Sequence, residues 1–154
     1  MAHIELRTEI LAAVEVVFEL ARSIDAHLGS MAKSRERAVA GVTSGAIALG
    51  EQVTWKATHF GVPFTMTSKV TEMEAPDRFV DEQIKGPFGR FRHEHRFERV
   101  DDGTLMVDVI DFTSPVGPIG RLVDQIVLER YMAKLIEERN AFLKQAAESQ
   151  AASG

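Results

Sequence analysis

No cysteine occurs among the 154 residues, which excludes disulfides, thiolate zinc sites and cysteine nucleophiles. The absence also fits a reducing compartment. Positive charge is not in excess: 18 Lys and Arg stand against 23 Asp and Glu, for a formal net charge of -5. A nucleic-acid binder would present a basic stripe, and none is visible. The richest basic run, Lys33 to Arg37, is broken by Glu36 and reads as a solvated loop. No apolar run approaches the ~18 residues that span a bilayer. The opening Met-Ala-His-Ile-Glu lacks an apolar signal core. Together these absences predict a cytoplasmic protein with no nucleic-acid partner and no stable membrane insertion.

Two catalytic signatures are missing as well. There is no Gly-x-Ser-x-Gly elbow, and Ser44-Gly45 lacks the preceding strand and turn. No glycine-rich phosphate loop exists either. Gly86-Pro87-Phe88-Gly89 reads as a hairpin loop, and Gly117-Pro118-Ile119-Gly120 puts proline where donor amides are needed.

What is present is a well-patterned chain. A hydrophobic content of 45% suits one domain, 1–154, with a single core over about 3–147 and a flexible tail over 148–154. His3 to Ile10 alternates as a strand with one wet face. Val14, Val17, Phe18 and Ala21 then take helical spacing, and a second short helix is expected from Ile24 to Met31. Strands are expected over Arg35–Gly41, Gln52–Phe60, Val62–Met73, Arg78–Lys85, Arg90–Val100 and Thr104–Phe112. Ala75-Pro76-Asp77 is a turn and Asp101-Asp102-Gly103 a hairpin signal. Ser114-Pro115 is expected to break the sheet, with Gly117, Pro118 and Gly120 in the linker.

From about Ile119 to about Ala147 the only glycine is Gly120, and apolar residues recur at helical spacing. Leu122, Ile126, Met132, Leu135, Ile136, Phe142 and Leu143 alternate with charged residues. This predicts an amphipathic helix of about seven turns. A wide antiparallel sheet curls, and so long a helix lies only across its concave face, with a cavity between them.

The segment Phe91-Arg92-His93-Glu94-His95-Arg96-Phe97 carries the functional question. With a period of two, Phe91, His93, His95 and Phe97 share the buried face, and Arg92, Glu94 and Arg96 meet water. Buried imidazoles need partners. Asp81 and Gln83 share a face with Phe79 on the preceding strand. Thr104, Met106, Asp108, Ile110 and Phe112 alternate on the following one, where hairpin pairing brings Asp108 opposite the histidines. Trp55, Phe64 and Met66 supply apolar faces earlier in the chain.

A carboxylate beside a buried imidazole favours the charged ring and fixes its tautomer, as in a general base. His93 and Asp108 are the candidates for that role. A structural network or plain ligand anchoring outweighs catalysis, because ion-pair networks perturb pKa values equally well. His93-x-His95 has the spacing of two metal ligands on one strand face, yet no metal motif surrounds it, and no metal or other cofactor is expected. His3 and His27 read as surface residues, while His59 is core, cavity or strand end. Met66, Met73 and Met106 fit core packing or an adaptable pocket.

The runs Arg78-Phe79-Val80-Asp81-Glu82-Gln83, Gly86-Pro87-Phe88 and Phe91 to Phe97 resemble the ligand-binding SRPBCC proteins. These are the START-like group labelled polyketide cyclase/dehydrase and lipid transport. Gly103 to Asp108, Pro115 to Gly120 ahead of the long helix, Glu138-Arg139-Asn140 within it and Phe18-Glu19-Leu20-Ala21 fit as well. The resemblance spans about residues 3 to 147. It implies an α+β helix-grip fold, in which a seven-stranded curved antiparallel sheet surrounds a long C-terminal helix in β-α-α-β6-α order, with an internal apolar cavity. Members include lipid carriers, hormone and polyketide binders and some cyclases or dehydratases, with no shared catalytic residue.

The resulting expectation is a binder of a small hydrophobic ligand, lipid or polyketide-like. Its site would comprise Trp55, Phe64, Met66, Phe79, Asp81, Gln83, Phe91, His93, His95, Phe97, Met106 and Asp108. The alternative is a cyclase or dehydratase that moves protons with a His-Asp pair, and a third reading is an interaction module acting through the terminal helix. Oligomeric state is not legible in the sequence.

Overall fold

The computed structural model describes residues 1–115 and 125–153. Seven strands are β1 (Ala2–Ile10), β2 (Arg37–Gly41), β3 (Gln52–His59), β4 (Val62–Glu74), β5 (Arg78–Lys85), β6 (Phe88–Val100) and β7 (Gly103–Pro115). Helices α1 (Val14–Ala21) and α2 (Ile24–Ser30) lie between β1 and β2, and α3 (Gln125–Ser153) follows the sheet. The order is thus β-α-α-β6-α. One sheet runs β1-β7-β6-β5-β4-β3-β2, antiparallel at every pairing. Among the described residues no helix is long and apolar enough to cross a membrane.

Local chemistry sets the boundaries. Ser23 caps α2 by accepting from the Ala26 amide, and Met31 ends that helix rather than belonging to it. Arg35, at φ 53°, is in the left-handed region after a 3-10 turn over Ala32–Ser34, so β2 begins only at Arg37. Phe60 and Gly61 have φ 54° and 72°, the double positive φ of a tight two-residue hairpin, and β3 stops at His59. Irregular register near Val70 and Glu72 bends β4 and strengthens the curl.

Two expectations are corrected. Ser114-Pro115 does not break the sheet: β7 runs to Pro115, which pairs with Phe88. The β1 ladder starts at Ala2 opposite Phe112, so residues beyond Phe112 border β6 alone. Proline's missing N–H is tolerated at such an edge. At the other end, α3 does not stop near Ala147. It continues to Ser153; Glu148 accepts from the Leu11 amide just after β1 at 2.8 Å and from Lys144 at 3.0 Å, and Lys144 donates to the Glu9 carbonyl of β1 at 2.6 Å. The expected linker at Gly117, Pro118 and Gly120, and the helix start from Ile119 through Leu122, lie outside the described residues.

The core is in two parts along α3. Near its C-terminal half Leu143 and Ala147 join Ile10, Val14, Val17, Phe18, Phe79, Phe97 and Met106. Near its N-terminal half Leu128 and Ile136 join Ile4, Phe91, Ile110 and Phe112. Between these packed regions, sheet and helix enclose a cavity.

The outer face of β6 also departs from expectation. Glu94 does not meet water: it is buried, 2.7 Å from both Arg78 and Arg96. The guanidinium stems cover it, and their charge holds its carboxyl below the ordinary range although burial alone acts upward.

Candidate functional site: a cavity floored by a His-Asp-Arg cluster

The alternation of β6 turns Phe91, His93, His95 and Phe97 toward α3, and all four are buried. His93 lies in register with Asp81 of β5 and Ile110 of β7, and His95 with Phe79 and Asp108. The hydrogen bonds run diagonally to that register. His93 Nε2 is 2.7 Å from Asp108 Oδ1, and His95 Nε2 is 2.7 Å from Asp81 Oδ2. Stacking accounts for the tilt: Phe79, His95 and His93 form one pile, with centroids 4.1 and 3.7 Å apart.

The terminal helix completes the cluster. Arg139 donates from Nη1 to Asp108 Oδ1 at 3.0 Å and to Asn140 Oδ1 at 3.1 Å. Its Nη2 lies 3.3 Å from His95 Nδ1 and 3.5 Å from the Ala21 carbonyl. Asn140 Nδ2 donates to Asp108 Oδ2 at 2.8 Å. Asp108, with no exposed surface, is therefore met on both oxygens. Burial pushes its pKa up, but Arg139 and the His93 bond outweigh this and hold it well below the carboxylate range.

His95 is neutral. Burial, and then the neighbouring His93, push its pKa down to about 4 against the upward pull of Asp81. This reverses the expectation that a nearby carboxylate would favour the charged ring. Because Arg139 donates to Nδ1, the proton of His95 sits on Nε2 and is donated to Asp81. Asp81 stays ionised: the bond from His95 and nearby positive charge outweigh the upward effect of burial. About 24% of its side chain is accessible, and that surface opens onto the cavity.

The cavity itself measures about 200 Å³. Trp55, Phe64, Met66, Phe79, Phe91, Asp81, His93 and His95 line it. Four expected site residues are elsewhere. Gln83 closes the β5–β6 turn through the Phe88 amide and carbonyl, at 3.2 and 2.8 Å. Phe97 and Met106 pack under α1 in the closed part of the core. Asp108 sits behind His93, out of reach of the cavity.

Residues that sequence reasoning left out complete the wall: Leu128, Tyr131, Ile136 and Arg139 from α3. A signal for Arg139 and Asn140 existed, since they fall in helical step with Ile136 and Leu143 on the buried stripe. His27 is also corrected. It is only 26% exposed, tilts over Trp55 at 4.3 Å, and pairs with Glu36 at 2.8 Å on the cavity wall. His59, at the end of β3, lines the cavity and meets the Tyr131 hydroxyl at 2.6 Å. Burial lowers the pKa of His59.

Donor atoms of Asp81, His93 and His95 lie within 4.8 Å of one another. Stacked at 24°, the two rings direct their lone pairs along nearly parallel planes, and the Arg139 guanidinium adjoins them. That arrangement suits hydrogen bonding better than convergence on a cation.

One atom stands out. Thr71 Oγ1 is the only sealed side-chain polar atom without a partner among the described residues. His93 Nδ1 also lacks a partner there and is not sealed, so it opens onto the cavity. A curved sheet gripping a long helix over such a cavity defines the START-like helix-grip class. The family described as "Polyketide cyclase / dehydrase and lipid transport" matches residues 1–148, and the chain belongs to it.

Solved structures agree on the fold. A START superfamily protein from Mycobacterium smegmatis superposes with a TM-score of 0.72 at 11% identity, over 96% of this chain and 98% of that one. A Thermus thermophilus protein gives 0.72 at 17% identity, over 95% and 99%. The di-domain aromatase/cyclase StfQ from the steffimycin biosynthetic pathway gives 0.74 at 15%, over 97% of this chain and 52% of that one. No curated protein matches the chain in sequence.

Proposed function

We propose that this protein binds a small apolar ligand, lipid or polyketide-like, in the cavity between sheet and α3. The observation that carries this reading is the contrast within the cavity, where apolar walls such as Trp55, Phe64 and Phe91 surround a polar floor. The apolar walls would supply affinity, and His93 with Asp81 would orient the ligand's polar group. Family membership supports the same reading. Native mass spectrometry of the protein incubated with lipid and polyketide extracts tests it. A retained small molecule, displaced on enlarging Ala57 to Phe in the wall, is the expected result; retention of nothing overturns it.

One observation favours a second reading, proton-transfer catalysis of the cyclase or dehydratase type. His93 presents a partnerless Nδ1 to the cavity while Asp108 holds Nε2, the orientation of a histidine base. Asp108, Arg139 and Asn140 would then position the ring without touching substrate. Turnover of a bound substrate, abolished by His93→Gln while binding persists, would establish this reading over plain binding.

A further inference from the structure

Resting on the binding reading, the charge balance of the wall narrows the ligand class. Among the described residues, each charged side chain that lines the cavity already has a protein partner. Arg22 meets Glu19 at 2.9 Å, Glu36 meets His27 at 2.8 Å, Arg139 meets Asp108 at 3.0 Å, and Asp81 meets His95 at 2.7 Å. Among the described residues of the wall, no cation is left over for an anionic ligand.

The floor leans the other way. Asp81 and Asp108 set two carboxylates against the one guanidinium of Arg139, and His95 is neutral. The open atoms there are mostly acceptors. Asp81 Oδ1 has no partner among the described residues, since His95 takes Oδ2, and the neutral form of His93 offers the lone pair of Nδ1. Ser68 Oγ, likewise unpartnered and on the wall, can donate or accept, and Arg139 has Nε left to donate. A hydroxyl group matches this set, because it donates to Asp81 or His93 and accepts in return. A carboxylate does not match: it has no proton to donate, and it would bring a third anion into a desolvated floor.

We infer that the cavity selects ligands whose polar head is an uncharged hydrogen-bond donor, a phenol or alcohol, and rejects carboxylates of the same shape. Fatty-acid anions are thereby excluded and hydroxylated apolar molecules admitted. The volume fits a small ring system, since about 200 Å³ exceeds the ~150 Å³ that holds benzene in an engineered cavity.

Trp55 is the only tryptophan of the chain and lines the cavity, so its fluorescence reports on occupancy. The test titrates the full chain at pH 8 with 4-butylphenol, 4-butylbenzoate and 4-butyltoluene, which share one apolar body. The phenol is expected to bind at least about tenfold tighter than the benzoate, as expected for an unpaired buried charge. It should also bind several-fold tighter than the toluene. Benzoate binding as tightly as the phenol overturns the inference, as does toluene matching the phenol, and in both cases cavity binding itself stands. Failure of all three to bind overturns the binding reading along with the inference. Asp81→Asn removes the floor's open carboxylate and is expected to narrow the phenol-benzoate gap several-fold; an unchanged gap counts against the assignment to Asp81.

Discussion

Arg139 of α3 and Asp108 of β7 form a buried ion pair, Nη1 to Oδ1 at 3.0 Å, that joins the terminal helix to the floor of the sheet. Neither side chain keeps more than 4% of its surface. A pair so enclosed is a specificity device more than a source of net stability. Desolvation offsets most of the Coulomb gain, yet either charge left alone is costly. The helix could slide by a turn and still bury apolar surface, but only this register brings Arg139 and Asn140 to Asp108.

Arg139→Met should therefore destabilise the protein by about 3–5 kcal/mol, because Asp108 would remain buried without its cation. Adding Asp108→Asn should recover a substantial part of that loss, since the orphaned charge disappears with it. Urea unfolding of the single and double variants measures both quantities. A loss of less than about 1 kcal/mol in the single variant would mean that Asn140 and His93 alone satisfy Asp108.

Stability should fall on mild acidification, and His95 sets the window. Its pKa is about 4 in the folded protein, below the ~6.5 of a free imidazole. Between those values the unfolded chain binds more protons than the folded one, so stability rises with pH and is lost as pH drops from about 6.5 to 4. The full shift corresponds to about 3 kcal/mol. His59, whose pKa burial also lowers, acts in the same sense. Asp81 and Asp108, held low, contribute stability that persists above the unfolded carboxylate range and is lost at still lower pH. Denaturation midpoints at pH 7.5, 6, 5 and 4.5 should decline stepwise, and His95→Gln should flatten the decline. A profile level from pH 7.5 to 4.5 would mean that the fold leaves the proton affinity of His95 unshifted, and a rise on acidification that the fold favours its charged ring.

The sheet was legible because its strands alternate and its turns carry Asp-Gly and Ala-Pro signals, all local chemistry. The diagonal pairing of His93 with Asp108 and His95 with Asp81 was half legible. Register placed the carboxylates beside the rings, but stacking on Phe79 decided which ring took which oxygen. Arg139 was not assigned to the site because charged residues on an amphipathic helix are read as the solvent face. Its helical step with Ile136 and Leu143 puts it on the buried stripe, and the contact with Asp108 shows what makes a cation tolerable there. The neutrality of His95 was misread for a related reason, since pairing pulls its pKa up while burial, not visible locally, pulls it further down.

Gly103, where β7 begins, gives a prediction about packing alone. A Cβ there would lie 2.2 Å from the Ile10 carbonyl oxygen and 3.1 Å from Leu11 Cα, both backbone atoms that cannot rotate away. Gly103→Ala should separate β1 from β7 locally and cost about 1–3 kcal/mol, seen as a lower Tm. Gly61→Asn is the contrast, because its Cβ meets nothing within 4 Å and asparagine tolerates the φ of 72°. Its Tm should stay within a degree or two of the parent's, a shift of only a few tenths of a kcal/mol. An unchanged Tm in Gly103→Ala would mean that β1 gives way to the added methyl without loss of pairing.

His93 separates binding from chemistry. Its Nε2 is committed to Asp108, so a ligand or substrate meets only Nδ1. Glutamine can still place an amide toward Asp108, but it offers no ring nitrogen to the cavity and cannot shuttle a proton near neutral pH. If the site only binds, His93→Gln should weaken a hydroxylated ligand by about fivefold to tenfold, the worth of one hydrogen bond, and fluorescence of Trp55 measures it. If His93 is a base, a substrate should still bind within that margin while turnover falls by about a hundredfold or more. Asp108→Asn then gives a second discriminating variant. A catalytic dyad loses the rate, because the imidazole loses the carboxylate that orients it, whereas a binding site shows no rate to lose. Retained turnover in His93→Gln would remove the ring from the chemistry and leave it as an anchor for the ligand's polar head.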